Sequence, residues 1–287
     1  MTDVKELNKK IRKLLEALNK RNKSLLTVEE KKLIAFYQEV LDYIRKKLSD
    51  MYLRYGDDVD FSTMAKYNRL GMIEKEIQSE MLSIYKQTGR LINEALKSTF
   101  TLNFLGVGDS FEKVFSTGFD FMLPSRETIL AALENPLDRV TWLGRLKLHH
   151  EKALRQINSE IAQGLIQGRG YSKTARAVKN RVEGLTNNAL RIVRTESHRV
   201  QTEGFLAGVK KSEGKIKKIG YKTIKVLIST LDDRTRLQSR IMHQQRADED
   251  GMFTYPNGIK RPGPGMTGVP EYDINDREIV IVEFEKI

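Results

Sequence analysis

The sequence predicts a mainly α protein: an extended helical body followed by a small C-terminal α+β module containing a short β-sheet. Three observations predict it. Apolar residues recur at helical spacing through most of the chain before Gly214, and β-branched runs are confined to the part after it. In addition, 31% of the residues are charged, which suits a helical chain with much exposed surface better than a compact enzyme. At 287 residues the chain exceeds one typical domain. The expected division is a helical N-terminal body over 1–150 and a C-terminal domain over 151–287 that carries basic helices and the α+β module.

Leu7, Ile11, Leu14, Leu15 and Leu18 follow one helical stripe. The polar run from Asn19 to Ser24 interrupts it, and Thr27-Val-Glu-Glu30 reads as a capping box, the Thr27 hydroxyl and the Glu30 carboxylate each satisfying a free backbone N–H. The next helix then buries Leu33, Ile34, Tyr37, Leu41, Ile44 and Leu48. Gly56-Asp-Asp-Val-Asp60 reads as a turn, and Ser62 as the N-cap of a long helix with Leu70, Ile73, Ile77, Met81, Ile84 and Leu91 on one side. From Thr99 to Gly118, three glycines (Gly106, Gly108, Gly118) lie among Phe100, Phe104, Phe111 and Phe115, which predicts a turn-rich connector packed by aromatics. Ser125 caps a short helix that Asn135-Pro136 stops, because the residue before proline avoids the helical region. Leu143 to Ile166 is helical, and Gly164, Gly168 and Gly170 punctuate a turn. Ser172 then caps a helix reaching Gly184, and Thr186 caps a further one. Ile224-Lys-Val-Leu-Ile228 and Glu278-Ile-Val-Ile-Val-Glu-Phe284 read as strands. Between them lies the long polar stretch from Asp232 to Asp276 with Pro256, Pro262, Pro264 and Pro270; a loop of that length is functional, ordered by a partner or mobile.

Charge narrows the function. The stretch from Glu151 to Lys225 holds seventeen Lys and Arg against six Asp and Glu, a net of +11, against +12 for the whole chain. Such concentration calls for a polyanion, an acidic partner or heavy solvation, and nucleic acid is the commonest of these because neutralising phosphates releases counterions. Lys173, Arg176, Lys179 and Arg181 fall on the first helix of a helix-turn-helix-like segment, and Arg191 and Arg199 on the second. Lys210, Lys211, Lys215, Lys217 and Lys218 crowd the turn before the first strand. Sequence-reading modules project Asn, Gln or Arg from one recognition helix; this diffuse lysine-rich distribution suits phosphate contact without base readout. A solvated face is the competing reading, and a sequence-specific regulator is disfavoured. The chain has no cysteine, which excludes disulfides, thiolate metal sites and a Cys nucleophile. Its first residues are charged, unlike a secretory leader, and no run approaches the ~18 apolar residues of a membrane span.

A set of short motifs recurs in one order: Gly164-Leu-Ile-Gln-Gly168 with the Ser172 helix; Ala189 to Ser197 around Arg194-Thr-Glu196; Gly204 and Gly208; a strand over Lys222 to Ser229; Asp232-Asp-Arg-Thr235; and Ile274-Asn275-Asp-Arg277. In that order they resemble the phage head morphogenesis family, the Mu F-like minor capsid proteins, over about residues 150 to 285. Two departures stand out: Leu237-Gln-Ser239 and Asp276-Arg277-Glu278 occupy places where family members often carry His or Cys. The resemblance implies a few-copy minor head protein of the virion interior, present in the host cytoplasm during assembly and a candidate for ejection with the genome. Its implied partners are the portal protein or the major capsid protein, together with packaged double-stranded DNA contacted without sequence preference. Arg194, Glu196, Asp232, Asp233, Arg234, Asn275 and Arg277 form the structural signature. Arg194 with Asp232 or Asp233, and Glu196 with Arg234, are the expected bidentate pairs locking helix to strand-loop.

Other constellations favour ordinary roles, and no catalytic residue, cofactor or metal site is assigned. Gly263-Pro-Gly-Met-Thr-Gly268 spells a dinucleotide fingerprint, but no strand precedes it and no helix opens after it as that motif requires, so a flexible loop is expected. His243-Gln-Gln-Arg-Ala-Asp-Glu-Asp250 lacks a second ligating His and reads as an acidic surface turn. His149, His150 and His198 are scattered packing or surface residues. Glu283-Phe-Glu285, with Arg194 and Ser229-Thr230, keeps open an alternative: a phage-delivered effector enzyme such as an ADP-ribosyltransferase. Against it, Arg194 falls on an expected helix, and charges on a terminal strand commonly discourage aggregation.

Overall fold

The computed structural model describes residues 3–56, 59–65, 68–134 and 140–287. It is mainly α, with a small C-terminal antiparallel sheet. In order the elements are α1 (Val4–Tyr55), α2 (Phe61–Ala65), α3 (Arg69–Phe115), α4 (Arg126–Glu134), α5 (Trp142–Ile166), α6 (Tyr171–Lys218), β1 (Tyr221–Ser229), α7 (Leu237–Met242), β2 (Phe253–Thr254), β3 (Lys260–Arg261), α8 (Pro270–Asp273) and β4 (Glu278–Lys286). Among the described residues no helix is long and apolar enough to cross a membrane.

The chain forms two compact units, each discontinuous in sequence. Unit 1 comprises Met1–Thr27, Asn93–Thr141 and Val193–Ile287; unit 2 comprises Val28–Ile92 and Trp142–Ile192. These are not the consecutive halves expected from the sequence, because α1, α3 and α6 each give one segment to each unit.

Three helices are longer than their sequence punctuation predicts. The polar run at Asn19 to Ser24 lies inside α1, where Asn22 is buried and trades side-chain hydrogen bonds with Asn103 of α3 at 2.9 and 2.8 Å. Thr27 does not cap a helix: its hydroxyl donates to the Lys23 carbonyl at 2.8 Å, one turn back within α1. The stretch from Thr99 to Phe115 is the end of α3 rather than a connector. A Cβ on Gly106 would stand 2.6 Å from the Leu18 side chain, and one on Gly108 2.4 Å from the Phe121 ring, so these glycines permit close packing. Likewise Gly184 and Thr186 lie within continuous α6, the Thr186 hydroxyl donating to the Val182 carbonyl at 2.9 Å. The helix-turn-helix-like segment is therefore one helix.

Other punctuation agrees with the structure. Gly168 (φ 60) ends α5 in a Schellman arrangement, with Arg169 N bonding the Gly164 carbonyl at 2.8 Å and Gly168 N the Leu165 carbonyl at 3.3 Å. The Ser125 hydroxyl accepts from Thr128 N at 3.2 Å and caps α4. At α2 the capping acceptor is Asp60, at 2.7 Å from Thr63 N, rather than Ser62. The expected stop at Asn135-Pro136 lies outside the described residues.

Unit 1 has its core where α1, α3 and α6 meet the sheet, with Ile11, Val107, Phe111, Phe205, Leu227 and Phe284 buried together. β1 and β4 pair antiparallel from Tyr221↔Lys286 to Ser229↔Glu278. The outer edge of β4 is met by Asn8, whose side chain donates to the Phe284 carbonyl at 3.1 Å and accepts from Phe284 N at 2.7 Å. The outer edge of β1 is met by the chain after α7, through Leu227 N to the Gln245 carbonyl at 2.9 Å and Ala247 N to the Lys225 carbonyl at 2.9 Å. Both edges are thus covered where they would otherwise pair with another chain. α6 approaches α3 through Gly204 and Gly208. A Cβ there would stand 2.5 Å from the Phe100 carbonyl oxygen and 2.8 Å from that of Phe104.

Unit 2 is entirely helical among its described residues. Leu33, Ile44, Ile77, Ile84, Ile157 and Val178 are among its fully buried positions. Its buried polar groups form small neutral networks. The Tyr37 hydroxyl lies 2.7 Å from His150 Nε2, and the Tyr52 hydroxyl donates to the Arg169 carbonyl at 2.8 Å and lies 3.0 Å from the Thr174 hydroxyl.

Candidate functional site

The cations expected to meet nucleic acid divide between the two units. In unit 2, Lys173, Arg176, Arg181 and Arg191 are exposed and Lys179 is half-buried. Two of them are committed: Arg181 donates to Glu160 at 2.6 and 3.1 Å, and Lys179 pairs with Glu183 at 3.5 Å. Arg191 bonds the Asn188 amide oxygen. Lys173 and Arg176 carry no ion pair among the described residues.

In unit 1, Lys210, Lys211, Lys217 and Lys218 are exposed on the last turns of α6, at i, i+1, i+7 and i+8, which places them on one helix face. None of the four has an ion pair among the described residues. Gly214, whose Cβ would meet nothing within 4 Å, lies between them on that face. Lys215 is turned aside, 3.3 Å from Asp120 and 5.5 Å from the Phe119 ring centroid. The same lysines also lie where the helix dipole favours positive charge.

Arg199 does not belong with these cations. Its side chain is 2% exposed and its guanidinium donates to Glu196 at 2.9 Å, to Glu203 at 2.9 Å and to the Ala132 carbonyl in the last turn of α4 at 2.6 Å. A phosphate cannot reach it. Periodicity alone held a signal for this, because Arg199 shares the inward face of α6 with Thr195 and Thr202.

The signature residues pair differently from expectation. Asp232 is gripped bidentately by Arg277, at 2.7 Å on each oxygen, rather than by Arg194. The Arg277 guanidinium holds the Asp232 carboxyl well below the usual carboxylate range. Glu196 is buried and bonds Arg199, whereas the Arg234 side chain is 86% exposed, so these two do not meet. Arg194 and Asp233 are exposed. Asn275 adopts φ 56 and turns the chain from α8 into β4, a left-handed conformation that Asn tolerates better than most residues.

The stretch from Asp232 to Asp276 is ordered by its own side chains, which stand in for the backbone ladder it lacks. Arg236 donates to the carbonyls of Glu271, Tyr272 and Ile274, and Arg240 to those of Asp232 and Thr235. Asp273 accepts from Thr267 N at 3.0 Å, the Thr267 hydroxyl at 2.8 Å and Gly268 N at 2.8 Å. The glycine-rich run is a packed corner, not a flexible loop. Gly263 and Gly265 are buried, and their Cβ positions would stand 2.7 Å from Thr202 and 2.9 Å from His198 Nδ1. His243 accepts from Ser229 N at 3.1 Å, and Asp248 pairs with Lys260 at 2.8 Å.

Glu283 and Glu285 are both held by Arg246, at 2.5 and 2.8 Å, and Glu285 also by Lys222 at 3.2 Å. These cations keep the Glu285 carboxyl below its ordinary range. Arg194 lies on α6 rather than on a strand. Sequence reasoning missed the group of buried ionisable residues His198, Asp276 and Glu278, because each belongs to a charged stretch that reads as surface.

No protein-family model matches the chain, and no solved structure matches it closely. Among curated proteins it is 28% identical over 264 residues to Minor head protein GP7 of Bacillus phage SPP1, spanning 91% of this chain and 84% of that one. It is also 25% identical over 272 residues to the NAD(+)–arginine ADP-ribosyltransferase EFV of Enterococcus faecalis. That match spans 95% of this chain but 54% of the transferase, so the chain accounts for about half of that protein's length. Over most of its length, then, the chain is similar to a phage minor head protein, which supports the phage-head resemblance at that coarser level.

Proposed function

We propose that this chain is a phage minor head protein that acts in head assembly, bound to the portal or the capsid interior and touching packaged DNA without sequence preference. The observation that carries the reading is the similarity to the SPP1 minor head protein along nearly the whole chain. The DNA part is supported by the lysine face of α6, where Lys210, Lys211, Lys217 and Lys218 present charge with no ion pair among the described residues and no Asn, Gln or Arg among them to read bases. Lys173 and Arg176 are secondary contacts. The test is salt-dependent binding of the full chain to duplex DNA of random sequence. Affinity should fall as salt rises, with a log–log slope that loses roughly one unit for each stripe lysine changed to Gln. A flat salt response removes the DNA part and leaves the assembly part standing.

A second reading, a phage-delivered transferase, is favoured by the match to the ADP-ribosyltransferase. The ion pairs at Glu283 and Glu285 and the helical setting of Arg194 count against it. NAD consumption by the purified chain that is abolished by Glu285→Ala would establish it; absence of turnover would end it.

A further inference from the structure

Residues 253–278 cross the face of α6 over a group of buried ionisable side chains supplied by several elements. From α6, His198 meets the Glu278 carbonyl through Nε2 at 2.7 Å, and its Nδ1 lies 3.8 Å from Asp276 Oδ2. Just before α7, Arg236 lies 3.8 Å from Asp276 Oδ1, and within α7 Ser239 bonds the Glu278 carboxyl. Asp273 closes α8 beside them, and the Tyr255 ring packs edge-on against Tyr272 at 5.3 Å, its hydroxyl buried without a hydrogen bond among the described residues. The side chain of Asp276 is 2% exposed, and Asp273 and Glu278 are buried.

The charges do not balance. Burial holds His198 toward its neutral form, so three carboxyls face one guanidinium, and that guanidinium is itself 30% exposed. Asp273 accepts hydrogen bonds from three donors. Asp276 accepts from the Glu278 backbone N–H at 3.0 Å, yet burial pushes both Asp276 and Glu278 above the ordinary carboxylate range; the Asp276 charge raises Glu278 further, and that of Asp273 raises Asp276.

We propose that a proton retained within the buried Asp276 and Glu278 group holds residues 262–276 closed on α6, and that losing it opens this segment as a proton-controlled clasp. The sign follows from linkage. The closed form keeps a proton that the open, solvated form releases, so closure is strongest at and below the ordinary carboxylate range, weakens as pH rises from there to about 7, and levels off above it. His198 acts in the opposite sense, since protonating it in acid costs closure. Opening uncovers the stretch of α6 around Thr202 and Leu206 on which Gly263 rests.

Hydrogen exchange of the intact chain between pH 5.5 and 9, corrected for the intrinsic pH dependence of exchange, tests this. Peptides covering 262–276 should lose protection by up to about tenfold per pH unit as pH rises toward about 7, the slope of one linked proton, and level off above it, while peptides of β1 stay level throughout. Asp276→Asn and Glu278→Gln should each flatten that slope. A level wild-type profile, or an unchanged slope in both variants, overturns the proposal.

Discussion

Unit 2 and unit 1 solve the burial of polar groups in opposite ways. In unit 2 the buried hydrogen bonds join neutral Tyr, Thr and His side chains to one another or to a backbone carbonyl, while His150 Nδ1 and Asn158 Oδ1 are buried without a partner among the described residues. In unit 1 the buried polar groups include ionisable ones: Arg199 with Glu196 and Glu203, and the Asp273, Asp276 and Glu278 carboxyls. The difference follows from backbone regularity. A helix meets its own hydrogen-bonding needs, so the residues around it need only pack. The segment from Asp232 to Asp276 has little ladder, and ionic side chains must bind its carbonyls and N–H groups directly. Charge in unit 1 therefore sets the path of the chain, and the lysines left over on the last turns of α6 are the ones free to meet a partner.

The largest expected effect separates two glycines of one helix. In unit 1, Gly204→Ala drives a methyl to 2.5 Å from the Phe100 carbonyl oxygen, a backbone atom that cannot turn away. It should destabilise the unit by about 3 kcal/mol. In unit 2, Gly184→Ala meets nothing within 4 Å and should stabilise α6 by about 0.5–1 kcal/mol through helix propensity. Hydrogen exchange resolved by unit reads both, and equal effects at the two sites would break the comparison.

A pH titration sharpens it. His150 in unit 2 is held down to about 4 by burial. The unfolded chain therefore takes up this proton more readily than the folded one. The folding free energy is intact above the ordinary imidazole value and is lost as pH falls from about 6.5 toward 4, by about 3 kcal/mol in all. Exchange protection in unit 2 should drop over that range, in the direction opposite to residues 262–276 of unit 1. Tracking in the same direction would contradict the assignment.

A smaller effect concerns the buried amide pair of unit 1. Asn103→Leu leaves the buried Asn22 amide oxygen without its donor, while its NH2 keeps the Leu18 carbonyl, and should cost about 2 kcal/mol. Placing Leu at both positions should recover part of that loss, since neither polar partner then remains unpaired. A double change no better than the single one would show that the pair does not act as a unit.

Much of the helical body was legible from apolar periodicity, and both strands of the sheet from β-branched runs. Continuity was not. Asn22, Gly106, Gly108 and Gly184 each resemble a break when read along the chain, yet they lie within helices. What distinguishes a packing glycine from a turn glycine is the atom opposite it, such as Leu18 for Gly106 and Phe121 for Gly108, and that atom is remote in sequence. The same limit applied to the charged signature. Arg194, Glu196, Asp232 and Arg277 stand out on paper as one charged set, but which of them pair does not, because any of several cations matches a given carboxylate. Arg199 and Lys210 look alike as residue types; the helix face each occupies, inward beside Thr195 and Thr202 or outward, separates an internal strut from a surface charge.

The central claim is that this chain belongs to the inside of a phage head. The most direct test is to purify assembled particles, strip their surface with protease and quantify the chain in the protected fraction against the portal protein. The account predicts a few protected copies per particle that remain with the portal when the shell is opened. Particles that carry none of the chain, or only protease-sensitive copies on the outside, would contradict it.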